Sequence, residues 1–120
     1  MTDKRPAFQW YPKDYLTDEN VVVMTLEEEG AYRRLIDYCW LHGSLPNDTE
    51  RMAPLCKTDG TRMAQLWPAI EPCFQQMNGD ANRLVHPRLE KERKKQDEYR
   101  EKKSRAGKAG ADKRWGNDDA

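Results

Sequence analysis

The chain has 120 residues, enough for one domain of ordinary size, with 37% hydrophobic and 35% charged residues. That apolar share is low for a globular domain, so a compact part joined to a solvated part is expected rather than one uniform fold. The formal net charge of zero hides an asymmetry: residues 1–89 carry ten Lys/Arg against thirteen Asp/Glu, net −3, whereas residues 90–114 carry eleven against six, net +5.

An acidic-to-neutral body with a basic extension points to a polyanion met by the extension. The start, MTDKRPAFQWY, has no apolar signal region, and no run approaches transmembrane length. A cytoplasmic location without membrane contact is therefore expected.

Residues 1–7 read as disordered. Phe8 and Trp10 alternate with Gln9 and predict a short strand before Pro12. The run Val21–Met24 is an extended segment or the lead-in to the first helix. That helix is the clearest element. Thr25 and Glu28 form a capping box, and Glu27 to Glu29 place anions where the helix dipole favours them. Tyr32, Leu35, Ile36, Cys39 and Trp40 then make one apolar stripe, and Gly43 is a left-handed C-cap candidate.

Leu45–Asp48 predicts a turn, with Asn47 or Asp48 capping a short second helix over about residues 48–57. Pro54 predicts a kink there, or a helix that starts late. A third helix follows Thr58–Gly60, with Met63, Leu66, Trp67, Ile70 and Phe74 on its apolar side and Pro68 expected to kink or split it. Gln75–Met77 and Arg83–His86, joined by a loop containing Asn78-Gly79, predict a β-hairpin closed by Pro87. The charged segment 88–104 predicts a projecting helix with Glu90–Lys94 and Glu98–Lys102 pairs.

Three helices followed by a hairpin is the winged-helix order: a support helix, a helix-turn-helix and a wing, with the early strand free to pair with the wing. The expected fold class is mainly α with a small β-hairpin. A winged-helix-like domain over 8–89 precedes a charged helix over 90–104 and a flexible basic tail over 105–120.

The segments FQWYPKDYL (8–16), MTLEEEGAYRRLIDYCWLHGSLPND (24–48), LVHPRLEKER (84–93) and AGKAGADKRW (106–115) resemble the YdaU-like family of phage-encoded proteins. The resemblance covers nearly the whole chain and departs from the family at Pro54. It implies a winged-helix-like module akin to the N-terminal parts of phage replication initiators and replisome organisers. It implies a phage or prophage replication setting, with no established reaction.

No enzyme signature is present: no P-loop, GxGxxG or HExxH. GKAGA lacks the phosphate-loop frame. Cys39, Cys56 and Cys73 with His42 and His86 have no metal-ligand spacing, and an odd cysteine count without a close pair excludes a disulfide framework. A non-enzymatic protein without metal or cofactor is expected. The aromatics Trp10, Tyr11, Tyr15, Tyr32, Trp40 and Trp67 are expected in the core.

Two surfaces are candidates for DNA. The third helix would present Thr61, Arg62 and Gln65, with Arg83 on the wing and Arg88 just beyond it. The tail would offer Lys103, Arg105, Lys108, Lys113 and Arg114 to phosphates and Trp115 to an unpaired base. Two readings follow. One is a DNA-binding replication accessory. The other is an adaptor whose body docks on a replication protein such as a helicase or its loader.

Overall fold

The computed structural model describes the backbone of residues 7–118 and the side chains of residues 7–107. Of the predicted disordered stretch, residues 1–6 lie outside the described residues.

Residues 7–11 form no strand, contrary to the sequence expectation. The Phe8 ring instead packs on Trp40, 5.2 Å between centroids, and its neighbours follow it onto the body. Pro12 opens a helix, α1 (Pro12–Thr17), where its missing N–H costs nothing. Asp18 then caps α2 (Glu19–Val22) through the Asn20 N–H, so the valine run begins as helix.

The long α3 (Leu26–His42) follows the capping logic of its sequence. Thr25 N–H donates to Glu28 Oε1 at 2.8 Å, and Glu28 N–H donates to Thr25 Oγ1 at 3.1 Å. Gly43, at φ +86°, ends it with its N–H on Cys39 O, a conformation that costs glycine nothing. Ala31, Tyr32, Leu35, Ile36, Cys39 and Trp40 are buried on one face.

β1 (Leu45–Pro46) leads to α4 (Thr49–Met52), capped by Asp48 through the Glu50 N–H. The chain then tightens into a 3₁₀ turn, Ala53–Cys56, with Pro54 at its start. The proline therefore sits where a first turn has no partner to offer its nitrogen.

α5 (Gly60–Ile70) is capped by Asp59 through the Arg62 N–H, 2.7 Å, and buries Met63, Leu66 and Ile70. Pro68 does not split it. It lies in the last turn, where one lost backbone bond breaks little, and the chain passes into a 3₁₀ turn at Glu71–Cys73.

β2 (Gln75–Met77) and β3 (Asp80–Val85) are joined by Asn78-Gly79, with Gly79 at φ +82°. β3 starts at Asp80, three residues before the predicted Arg83. The sheet is antiparallel in the order β1-β3-β2, pairing Leu45 with Leu84 and Gln75 with Val85, with a slip between Gln76 and Met77. β1, not the Phe8–Trp10 segment, takes the open edge of β3. The architecture is mainly helical with a small three-stranded sheet.

α6 runs from Pro87 to Asp118. It continues through Ser104–Arg105, where the composition predicts a change to a flexible tail. The Ala, Lys and Arg residues there are good helix formers, no proline intervenes, and isolated glycines cost about 1 kcal/mol each. The chain divides into two compact units, Met1–Glu90 and Lys91–Ala120.

The core of the first unit is built on α3, with Met52, Met63, Ile70 and Leu45 almost wholly enclosed. Trp40 is 3% exposed within it. Trp40→Ala is expected to cost about 3–5 kcal/mol in a urea melt. A loss under about 1 kcal/mol would place the indole on the surface.

Candidate nucleic-acid interface

α5 exposes Thr61, Arg62 and Gln65, as its periodicity predicts. Arg62, however, forks onto Glu27 of α3. Nε donates to Oε2 at 2.8 Å, Nη2 donates to Oε1, and Nη1 donates to Gln65 Oε1 at 2.7 Å. Bidentate contacts of this kind fix the guanidinium plane. Hydrogen bonding from Arg62 holds the Glu27 carboxyl below its ordinary range, and the same bonds raise Arg62. Arg62 is thus held between Glu27 of α3 and Gln65 on its own helix.

Arg83 is half-buried on β3. Its Nε donates to Ser44 Oγ at 3.0 Å and its Nη2 to Ser44 O at 3.1 Å, which ties the wing to the residue before β1. Arg88, in the first turn of α6, pairs with Asp14 of α1 at 3.4 Å. Each arginine that the sequence nominates on the body therefore holds two parts of the body together.

Arg83 also lines an open groove of about 610 Å³ between the β1–α4 turn, α5 and the hairpin. Arg51, Asn47, Asn82 and Trp67 share it, and Trp67 stacks on Phe74. Arg51 went unmarked in the sequence because the Pro46–Arg83 register brings its turn beside the wing. Glu27 read as a helix-start anion, and Asp14 carried no local signal of a partner. Their partners lie 35 and 74 positions away, and no local pattern announces such pairs.

Within the second unit, Lys103 is exposed and Arg105 pairs with Glu101 one turn back. Such exposed pairs are weak and exchange readily. Lys95 lies 4.0 Å from Glu92. The side chains of Lys108, Lys113, Arg114 and Trp115 lie outside the described residues, although the backbone there is helical.

The aromatics divide. Tyr32 and Trp40 are in the core and Tyr15 and Trp67 are half-buried, whereas Trp10 and Tyr11 are on the surface, contrary to expectation. Two contacts account for Trp10: Arg33 stacks over its ring at 4.0 Å, and Tyr15 lies 4.8 Å away.

Among the described residues, no three His, Cys, Asp or Glu side chains gather as a metal ion requires. No helix there is long and apolar enough to cross a membrane. Cys56 is pushed up to about 11 by burial, far from a reactive thiolate.

Taken together, the fold and surface define a small helical body with a three-stranded sheet, internally paired arginines and a highly charged C-terminal helix. Residues 6–94 match the family described as "Protein of unknown function (DUF1376)", and the chain belongs to that family. Over 104 residues it is 35% identical to "Uncharacterized protein YdaU" of Escherichia coli (strain K12), a match that covers 87% of this chain and 34% of that protein. The chain thus spans about a third of its relative's length. No solved structure matches it.

Of the two histidines, His86 is buried, and it caps α6. The Leu89 N–H donates to Nδ1 at 3.4 Å, so Nε2 carries the proton and donates to the Tyr32 hydroxyl at 2.7 Å. Burial first, and Arg88 second, lower its pKa to about 4, with Asp18 opposing. The unfolded chain therefore binds a proton near pH 6.5 that the folded one refuses. Stability from neutral His86 is complete above about pH 6.5 and is lost as pH falls towards 4, by on the order of 3 kcal/mol. His86→Asn keeps a capping acceptor and is expected to remove this slope from urea melts taken between those pH values. An unchanged slope would assign the pH dependence to other groups.

Proposed function

We propose that this chain is a winged-helix module in which the body serves as a scaffold and the C-terminal helix makes the nucleic-acid contact. The winged-helix reading is supported by the order of elements. α3 is the support helix, β1 precedes the α4–α5 pair, and β2–β3 is the wing. The replication setting, in a phage or prophage, comes from the sequence resemblance to the YdaU-like family. No catalytic role is part of the reading.

One observation carries it: where the cations are and what they already touch. Arg62, Arg83 and Arg88 are paired across elements of a body of net charge −3, Arg62 and Arg88 on its surface, while residues 100–114 have a net charge of +5. A guanidinium that must leave a carboxylate beside the DNA is a poor reader of the major groove. Lys103, Arg105, Lys108, Lys113 and Arg114 suit phosphates, which position a protein without specifying a base, and Trp115 suits stacking on an unpaired base. The acidic body itself favours a second reading, the adaptor that docks on a replication protein.

Filter binding against salt tests the first reading. Replacing Arg105, Lys108, Lys113 and Arg114 by Ala is expected to weaken binding to unrelated duplexes equally and to flatten a slope of about −0.9 per phosphate. Arg62→Ala is expected to leave both affinity and site preference unchanged. A loss of preference for one site by roughly 1–3 kcal/mol on Arg62→Ala would make α5 the reader. Unaltered affinity and slope in the fourfold variant would leave the helix as a solubilising extension.

A further inference from the structure

Seven of the nine large hydrophobic side chains exposed among the described residues lie between Trp10 and Leu41. Monomeric surfaces scatter such residues singly, and a concentration marks an interaction site. Leu26 is 87% exposed and Val23 77% exposed, with Leu16 and Val22 close to them in the α1–α3 segment.

The surface has shape as well as composition. A trough of about 310 Å³ between α1 and α3 is lined by Trp10, Tyr15, Leu16, Glu29 and Arg33. A second, of about 500 Å³, continues from Trp10 and Arg33 to Trp40 and Leu41. Leu26, Arg33, Asp37 and Leu41 fall on one side of α3, an apolar-ended track about 22 Å long at 1.5 Å per residue.

Acid outnumbers base around it: residues 12–42 carry seven Asp/Glu against three Lys/Arg, a net of −4, with Arg33 in both troughs. Asp18, Glu19, Glu29 and Asp37 lie on α2 and α3 or at their ends. The arginines nearby are engaged: Arg33 with Asp37 at 3.9 Å and the Trp10 ring, Arg34 with the Leu55 carbonyl at 2.7 Å. An acidic rim repels an anionic lipid surface and attracts a basic segment. A second copy of the chain offers no match in its basic helix, because within residues 90–118 the large apolar residues are Tyr99 and Trp115, sixteen positions apart.

We propose that this trough is the docking site for an amphipathic helix of a partner protein, apolar on one face and flanked by Lys or Arg. A track of this length takes a helix of about four turns presenting anchors at i, i+3, i+4 and i+7. The proposal deepens the docking reading above and is independent of the nucleic-acid contact.

The test uses the full chain and a synthetic helical peptide with Leu on one face and Lys on the other, followed by calorimetry. Saturable binding is expected, with the same peptide carrying Glu for Lys weaker by about tenfold or more. Leu16→Asp and Leu41→Asp, both at exposed positions lining the trough, are each expected to weaken the Lys peptide by about tenfold, and Met77→Asp, away from the trough, to leave it unchanged.

Equal binding of both peptides, or no effect of the two leucine changes, would overturn the proposal. So would self-association in sedimentation, or binding to anionic vesicles, that the same changes abolish. The fourfold Ala variant of the C-terminal helix is expected to bind the peptide normally. Loss of salt-linked DNA affinity alone would therefore count against the nucleic-acid reading and leave this one standing.

Discussion

Burial of one face of α3 is the interaction on which the rest of the body depends. Tyr32, Leu35, Ile36, Cys39 and Trp40 are at most 4% exposed, and β1, α5 and the 3₁₀ turn after α4 all pack on α3. Its neighbours are too short to stand alone. α2 and α4 have four residues each and β1 has two, well below the length at which a helix or hairpin holds in water. They persist because α3 is long, closed at both ends by its own caps, and offers a continuous apolar surface. The Tyr32 hydroxyl extends that dependence to polar groups. It accepts a hydrogen bond from His86 Nε2 in the interior, and His86 in turn caps α6.

The electrostatics follow from where each cation finds its first partner. Arg62, Arg83 and Arg88 each meet an acceptor on another element of the first unit, so they act as ties between elements. Arg105 meets Glu101 on its own helix, with both side chains mostly in solvent. High dielectric makes that pair weak, and a phosphate displaces the carboxylate at little cost. In the proposed readings the acidic body meets basic apolar segments and the cationic helix meets polyanions.

The capping box at Thr25–Glu28, the Gly43 stop, the apolar stripe of α3 and the Asn78-Gly79 turn were all legible in the sequence, whereas the stripe of α5 ends at Ile70 and Phe74 lies beyond the helix. Each is an interaction among residues within a few positions of one another, so composition and spacing suffice to place it. Pro54 was legible as a disturbance, and the 3₁₀ turn is the form it takes. The same local rules misplaced the Phe8–Trp10 strand and put Trp10 and Tyr11 in the core. Alternation and aromatic content do not say which neighbour will be available, and Phe8 found Trp40 while β1 took the edge of β3.

The sequence by itself determined the identity and order of the main helices, the hairpin, the buried face of α3 and the change of charge beyond residue 89. Tertiary structure alone decided which partner each arginine meets, which aromatics face solvent, and which aromatic and charged side chains line the trough between α1 and α3. The physical reason is range. Capping and periodicity act within one or two turns of chain, whereas Arg62 and Glu27, or Tyr32 and His86, lie 35 and 54 positions apart and meet because packing on α3 brings them together.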